Sequence, residues 1–297
     1  RLTVIETFVA QDRHVIGAGS ITLAVVWPGS DGEPADLTGN TATVSVADAD
    51  GTVLATGAAT IPSGTSGKAT FELAAEHTSR PRWLTATWTR DDGAIRTSTH
   101  ELVGGVYFTI ADARTEKGGM ADTGMYADNF IQEARYAAEI EAEEICGVAF
   151  VPRFARLRID GSGWDELAVE HPRVRELISV TEDGTAWTAD EVAAVIVDDA
   201  MLILDDGCVW TRGRGRFVLE YLHGWDRLPA DMLVPTMRRA KHAIDNAEST
   251  VPVGAFTAAV PGGGQITLQR PDAMRTGDHT VDAVYARHND RVPGFGA

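Results

Sequence analysis

The sequence predicts an α+β protein, in which an N-terminal all-β, Ig-like sandwich precedes a helical domain with a small inserted β-sheet or hairpins. Residues 1–108 contain short runs rich in Val, Thr and Ile but no helical period. Two later stretches have apolar residues at helical spacing, and strand-like runs lie between them. A long loop and a C-terminal arm complete the predicted second domain. The predicted boundaries are 1–108 for the sandwich, 109–124 for a linker and 125–297 for the second domain.

The predicted sandwich rests on six alternating runs separated by Gly, Pro, Asp and Ser. Asp50-Gly51 and Asp91-Asp92-Gly93 have the composition of hairpin turns. Trp27, Trp83 and Trp88 are expected to supply aromatic core contacts, with an edge position for Trp83 as the alternative. The predicted strands are Ile21–Trp27, Thr41–Ala47, Val53–Ala59, Lys68–Leu73, Leu84–Thr89 and Ala94–Val103.

The polar, glycine-bearing stretch 109–124 predicts the linker, and a helix is predicted to follow from about Tyr126 to Cys146. Gly147 is expected to end this helix. Its predicted capping residues are Asp122, Thr123 and Asp128. The helix carries alanines that allow close approach to another helix, although alanine is equally a good helix former. Its predicted subunit-packing side consists of Phe130, Ala134, Ala137 and Ala138.

Residues 150–221 are predicted to form several strands, with Asp190-Glu191 as an alternative helical turn. The last of these strands runs into the stretch Tyr221–Ala247, where Gly224 ends the strand and a helix follows. Because an interior proline breaks a helix, the helix is predicted to begin at Pro235, after a separate turn near Pro229. The other predicted strands are Arg153–Asp160, Val174–Val180, Ala193–Val197, Met201–Leu204 and Arg216–Tyr221.

The stretch 251–275 is predicted to be a long loop around Pro261-Gly262-Gly263-Gly264. Structureless connections of this length are uncommon in a compact domain, so we expect contact with another chain to order it. A short helix is predicted at Asp282–His288, with one adhesive side.

The composition indicates a globular protein without a broad nucleic-acid-binding surface. The chain has 297 residues, a hydrophobic content of 44% and a net charge of −17. Affinity for phosphate depends on clustered Lys and Arg, so this charge argues against such binding. No apolar run approaches the ~20 residues of a membrane span, so no membrane association is expected. The two cysteines, Cys146 and Cys208, are expected to be buried free thiols.

The sequence contains no pattern typical of a catalytic, cofactor or metal site, so the chain is expected not to be an enzyme and to have no cofactor. The eight histidines are scattered and match no HExxH spacing. Ser162 lacks the flanking glycines of a nucleophile elbow, and the Gly262–Gly264 run lacks the Lys-Ser/Thr of a phosphate loop. Asp198-Asp199, Asp205-Asp206 and the basic turn Arg212–Arg216 are each more typical of solvated turns than of sites.

The order of motifs along residues 120–297 resembles the head-to-tail adaptor, or connector, proteins of tailed bacteriophages. These motifs are Tyr221-x-x-Gly224, a Leu228-Pro229-Ala230 step and helix, the Gly-rich loop, and Val281-Asp-x-Val-Tyr-Ala-Arg287. The N-terminal β domain has no counterpart in the smaller members of that family. We expect it to face outward and to decorate the neck or contact the capsid.

The resemblance implies a structural virion protein that forms a homo-oligomeric ring, commonly twelve-fold, in the phage neck. Its implied partners are the portal protein and a tail-side neck or stopper protein. DNA would pass through the ring without sequence-specific binding, and assembly would occur in the host cytoplasm. The acidic surplus would suit a channel wall that repels phosphate. The expected partner-binding residues are Gln265, Ile266, Leu268, Val281, Val284, Tyr285, Arg287 and His288.

Two other functions remain open at the sequence level. The sandwich can be a cell-surface or carbohydrate-binding module, which exposed aromatics such as Trp83 and Trp88 on one face would favour. A hydrolase would need the carboxylates of Asp198, Asp199, Asp205 or Asp206 to converge in a pocket.

Overall fold

The computed structural model describes residues 12–29, 32–205, 207–247, 257–260, 264–267 and 276–290. The chain divides into two compact units. The first unit contains residues 1–105, 152–169 and 174–224, and the second contains residues 106–151, 170–173 and 225–297. Strands predicted to belong to the C-terminal domain therefore lie in the same compact unit as the N-terminal strands.

The N-terminal part of the first unit has two β-layers. A five-stranded sheet has the order β1-β7-β6-β3-β4, and β2 and β5 form a second, two-stranded sheet. All pairings are antiparallel except that of β1 with β7, which is parallel. The six predicted strands are confirmed to within two residues at each end, and β1 is an addition. The strands are β1 (Asp12–Val15), β2 (Ile21–Val26), β3 (Ala42–Asp48), β4 (Val53–Ala58), β5 (Lys68–Leu73), β6 (Arg82–Arg90) and β7 (Ile95–Val103).

Alternation along these strands directs one face of each sheet into a shared core. Leu23 and Leu73 from the two-stranded sheet and Val46, Leu84 and Trp88 from the larger sheet have no exposed surface. Apolar burial of this kind is the main contribution to the stability of the layer pair.

Seven further strands lie between the two long helices. One sheet has the order β11-β10-β14-β8, and a three-stranded sheet has the order β12-β13-β9. The long strand β14 pairs antiparallel with both β10 and β8. The strands are β8 (Arg153–Gly161), β9 (Glu166–Ala168), β10 (Val174–Glu182), β11 (Thr185–Ala186), β12 (Ile196–Asp198), β13 (Met201–Ile203) and β14 (Gly213–His223).

The predicted α+β class with a helical C-terminal domain is wrong, because the chain is mostly β. The region between the long helices is not a small insertion: its seven strands build two sheets. Helices of the described residues form a single sizeable cluster, in the second unit. The sequence patterns located the strands individually, but they did not show how many of them would join one sheet.

Short helices occupy two stretches for which strand or linker was the leading prediction. Helix α1 (Ile110–Ala113) lies in the predicted linker and begins with a capping box between Thr109 and Asp112. Helix α3 (Ala189–Ala193), which follows the long helix α2 (Asp128–Cys146) in chain order, begins with the same motif between Thr188 and Glu191. The alternative of a helical turn at Asp190-Glu191 is thus confirmed.

Helix α2 (Asp128–Cys146) ends at Gly147, as predicted, with a left-handed backbone at φ 72°. Its N-cap is Ala127, which makes no side-chain cap, so the predicted capping by Asp122, Thr123 or Asp128 is wrong. The helix is instead held at its side by Tyr107. The Tyr107 N–H donates to Glu139 Oε1 at 2.9 Å, and its hydroxyl donates to Glu143 Oε1 at 2.7 Å.

Helix α4 (Leu233–Ala247) packs against α2 and begins two residues before the predicted start. Pro235 is its third residue, where the backbone N–H has no intrahelical acceptor, so the proline costs no helical hydrogen bond. The predicted separate turn is confirmed by the bond from the Met232 N–H to the Pro229 oxygen at 2.9 Å. Helix α5 (His279–Tyr285) contacts α2 and α4 and continues into a 3₁₀ turn at Ala286–His288.

The predicted loop 251–275 contains an antiparallel hairpin of β15 (Thr257–Val260) and β16 (Gly264–Thr267). The remainder of the predicted loop lies outside the described residues. Within the described part of the chain, no helix combines the length and apolar character needed to cross a bilayer.

Candidate functional site

The structure divides the predicted subunit-packing side of α2 between two faces. Ala134 and Ala138 are buried, on the face that also contains Ile131. Phe130 is 47% exposed and Ala137 is exposed. Ala134 and Ala138 thus serve packing within the second unit, while Phe130 and Ala137 remain accessible for contact with another chain.

The predicted partner-binding residues of α5 are mostly internal to the second unit. Val281, Val284 and Tyr285 are buried. Arg287 is exposed, and His288 lies with its Nε2 2.9 Å from Asp231 Oδ1. The helix therefore has the predicted apolar side, but α5 contacts α2 and α4 of the same chain.

The hairpin contains two further predicted partner-binding residues. Gln265 and Ile266 are in β16, paired with Ala259 and Ala258 of β15. Leu268 lies outside the described residues. The role of the three residues in binding a partner stays a prediction.

The acidic residues considered as a site lie at strand ends and in turns, and most of the basic cluster lies at the start of β14. Asp198 and Asp199 are exposed at the tip of the β12–β13 hairpin, and Asp205 is exposed farther along the chain. Asp206 lies outside the described residues. Arg214 and Arg216 were predicted to lie in a solvated turn but are part of β14, where Arg216 contacts Glu182 and Asp183, both at 2.9 Å.

The two tryptophans proposed as a carbohydrate platform do not share a face. Trp88 is buried in the core of the β-layers. Trp83 packs edge-on against Phe154, with ring centroids 5.3 Å apart. Trp83 and Trp88 therefore do not form the exposed aromatic face that would favour a carbohydrate-binding module.

A cluster that the sequence patterns did not reveal lies at the edge of the five-stranded sheet. It comprises Asp12, His14 and His100, and we call it the edge cluster. Asp12 and His14 lie on one face of β1 because they are two residues apart, and Asp12 is opposite His100 in the parallel register. The ligand atoms of the three side chains all lie within 4.8 Å of one another.

The edge cluster is closely spaced and held by its surroundings. His14 Nε2 is 3.3 Å from His100 Nδ1 and 3.5 Å from Asp12 Oδ2. On its other side, His100 Nε2 is 2.8 Å from Ser98 Oγ, which also accepts a hydrogen bond from Trp88 Nε1 at 2.9 Å. The Arg13 N–H donates to Asp12 Oδ1 at 2.9 Å, which leaves Oδ2 directed toward His14.

Burial sets the charge of the two imidazoles. Burial, together with the neighbouring His14, lowers the pKa of His100 to about 4, against an opposing effect of Asp12. Burial also lowers the pKa of His14, although Asp12 acts in the opposite direction. Both rings are therefore neutral at neutral pH, the form in which imidazole is a metal ligand.

Spacing along the chain gave no sign of this cluster, because His14 and His100 are 86 positions apart. The local signal was the Asp-x-His alternation in Asp12-Arg13-His14, which places two polar side chains on the same face of a strand. That signal becomes informative only with the pairing of β1 and β7.

In the comparisons with known proteins, no family model and no curated protein matches the chain.

Proposed function

We propose that the chain is a structural protein of the neck of a tailed bacteriophage, where copies of it form a ring that joins the portal to tail-side neck proteins. The observation that carries the proposal is the exposed side of α2. The helix is anchored on one face by buried Ala134, Ala138 and Ala142 and presents Phe130, 47% exposed, on another. A second copy of the chain is the occupant that we propose for this exposed side.

The chain order supports the same function. A long helix, a strand region, a second helix, a hairpin and a short C-terminal helix follow one another from residue 128 to 288. This order accompanies the motifs that resemble head-to-tail adaptors, with a larger β-region than that resemblance implied. Fold alone does not define function, so the proposal depends on the surfaces that these elements present.

The hairpin of β15 and β16 is the second surface that we assign to assembly. It forms a two-stranded sheet in the described part of the chain. Two-stranded sheets are at best marginally stable by themselves in water, so contact with a neighbouring subunit would stabilise this one. Gln265 and Ile266 belong to this hairpin, and we assign them to contact with the portal or the tail-side neck protein.

To test for ring formation, the mass of the full chain is measured by light scattering, alone and mixed with its candidate portal protein. Negative-stain electron microscopy records the shape of the particles. We expect a closed ring in at least one of the two conditions. The variant Phe130→Asp should prevent ring formation because it places a charge in the subunit contact.

The matched control is Ile95→Asp, since Ile95 is an exposed apolar residue, 64% accessible, in the first unit. It should still form rings. A wild-type chain that stays monomeric in both conditions, or a Phe130→Asp variant that assembles like the control, would overturn the proposal.

A further inference from the structure

We propose that Asp12, His14 and His100 bind a divalent transition-metal ion, with Zn²⁺ the best match, and that the ion fastens the edge strand β1 to β7. This inference is independent of the neck function proposed above. It rests on the position of the three ligand atoms, the side chains that hold them and the chemistry of the ligand set.

The distances match those between ligands of one tetrahedral ion. Zinc binds imidazole nitrogen and carboxylate oxygen at about 2.0–2.2 Å, so two ligand atoms at the tetrahedral angle lie roughly 3.3 Å apart. His14 Nε2 lies 3.3 Å from His100 Nδ1 and 3.5 Å from Asp12 Oδ2. The third pair is within 4.8 Å, and a small shift of the Asp12 side chain, which is 58% exposed, would shorten it.

The neighbouring hydrogen bonds favour the tautomer that a metal site requires. Metal-bound histidines usually donate their second ring N–H to an oxygen, which directs the other nitrogen to the ion. His100 Nε2 lies 2.8 Å from Ser98 Oγ, so in the tautomer with the proton on Nε2 this N–H has an acceptor and Nδ1 faces His14 without a proton. Trp88 Nε1, buried in the core, donates to the same oxygen at 2.9 Å and fixes its position.

The ligand set selects the class of ion. Two imidazole nitrogens and one carboxylate suit zinc and its neighbours in the first transition row, whereas Ca²⁺ and Mg²⁺ prefer sites built from oxygen alone. Three protein ligands leave a fourth position for water. The exposure of Asp12 opens that position to solvent, whereas His100 is 2% exposed.

The consequence for the fold follows from which strands supply the ligands. Two ligands come from β1 and one from β7, and the two strands are a parallel pair with only four residues in register. A bound ion would cross-link positions far apart in sequence and hold this short pair together. Amide hydrogen exchange of residues 13–15 should therefore slow at least about tenfold when the site is loaded.

The test is a zinc titration of the full chain, first treated with chelator and then dialysed, with a chromophoric competitor reporting free Zn²⁺. We expect one ion per chain, and the visible spectrum of four-coordinate Co²⁺ when cobalt replaces zinc. Asp12→Asn and His14→Gln should weaken binding at least about tenfold, and Ser98→Ala about 10–100-fold as a loss of ligand support.

His77→Gln is the matched control, since His77 also lies beside a carboxylate, with Nε2 3.4 Å from Glu76 Oε1, but outside the edge cluster. It should bind zinc like the wild type. Circular dichroism verifies that each variant is folded, and the exposed position of Asp12 makes Asp12→Asn the variant least disturbing to the fold. The proposal would be overturned if the chain bound no stoichiometric zinc, which is the result expected if His14 and His100 share only a hydrogen bond. It would also be overturned if Asp12→Asn and His14→Gln bound zinc as tightly as the control.

Discussion

At the scale of single residues, Glu101 is a buried charge on which the first unit depends. The carboxylate is 1% exposed and lies on β7, 3.3 Å from Arg13 Nε. Arg153 of β8 contacts it with two nitrogens, each at 2.8 Å. Removing one partner of such a pair leaves uncompensated charge in a medium of low polarity, which costs more than the pair itself contributes.

We expect Glu101→Gln to lower the free energy of unfolding by about 3–5 kcal/mol, because two arginines lose their shared carboxylate. The control is Glu182→Gln, whose partner Arg216 is 30% exposed and whose own side chain is 25% exposed. A more exposed pair of that kind contributes at most about 1 kcal/mol. Urea denaturation measures both values, and equal losses for the two variants would contradict the assignment of Glu101.

The edge cluster shows why some residues were beyond prediction. Asp12 and His14 share a strand face by alternation alone, but His100 joins them through the parallel pairing of β1 with β7, in which His14 and His100 are 86 positions apart in sequence. Nothing in residue spacing specifies which strand pairs with β1. Phe130 and Ala137, by contrast, were predicted to lie on one side with Ala134 and Ala138. Ala137 is exposed although the next residue, Ala138, is buried, because successive residues of an α-helix point in directions about 100° apart.

At the scale of elements, α3 depends on a capping box that titrates. The Thr188 N–H and hydroxyl donate to Glu191 Oε2 at 2.7 and 2.9 Å. The backbone hydrogen bond, followed by that from the hydroxyl, lowers the pKa of Glu191 below its ordinary value of 4.5. Because the folded-state pKa is below the unfolded one, this carboxylate stabilises the fold above pH 4.5 and loses its contribution as pH falls through the folded-state pKa.

We expect Glu191→Gln to remove that part of the acid sensitivity, since the amide oxygen accepts the same hydrogen bonds at every pH. The thermal midpoint of the variant should therefore fall less than that of the wild type between about pH 5.5 and about pH 3.5, roughly one unit either side of the ordinary pKa of 4.5. Asp190→Asn, on the same helix, removes an equal charge and is the control. Identical pH profiles for all three proteins would show that the capping box does not contribute.

Element boundaries were largely predictable, because alternation and glycine punctuation act locally. β5 was predicted with its observed ends, and α2 ends at the predicted glycine. The fold class was not predictable in the same way. Whether β8, β10 and β14 form a minor hairpin or a full sheet depends on pairings between residues 35 to 70 positions apart, which no local pattern specifies.

At the scale of the whole molecule, the division into two units changes how function should be tested. The N-terminal strands share a compact unit with residues 152–169 and 174–224, so deleting residues 1–108 would remove part of that unit. Loss of assembly after such a deletion would report misfolding as readily as a missing interface. Point substitutions on exposed side chains, such as Phe130→Asp, avoid this ambiguity.

The charge of the whole chain leads to the last prediction. With a net charge of −17, the protein should not retard duplex DNA in a mobility assay at about 150 mM salt, because binding to phosphate requires clustered cations. The local exception is the segment at the start of β14 that contains Arg212 and Arg214, both exposed. If DNA is retarded, and the double variant Arg212→Glu, Arg214→Glu abolishes the effect, this segment is a DNA contact and the proposal of a non-binding acidic channel is wrong. If neither the wild type nor the double variant retards DNA even at low salt, where exposed charges are least screened, the acidic surplus dominates the electrostatics of the chain. The proposed channel wall, along which DNA would slide, requires this.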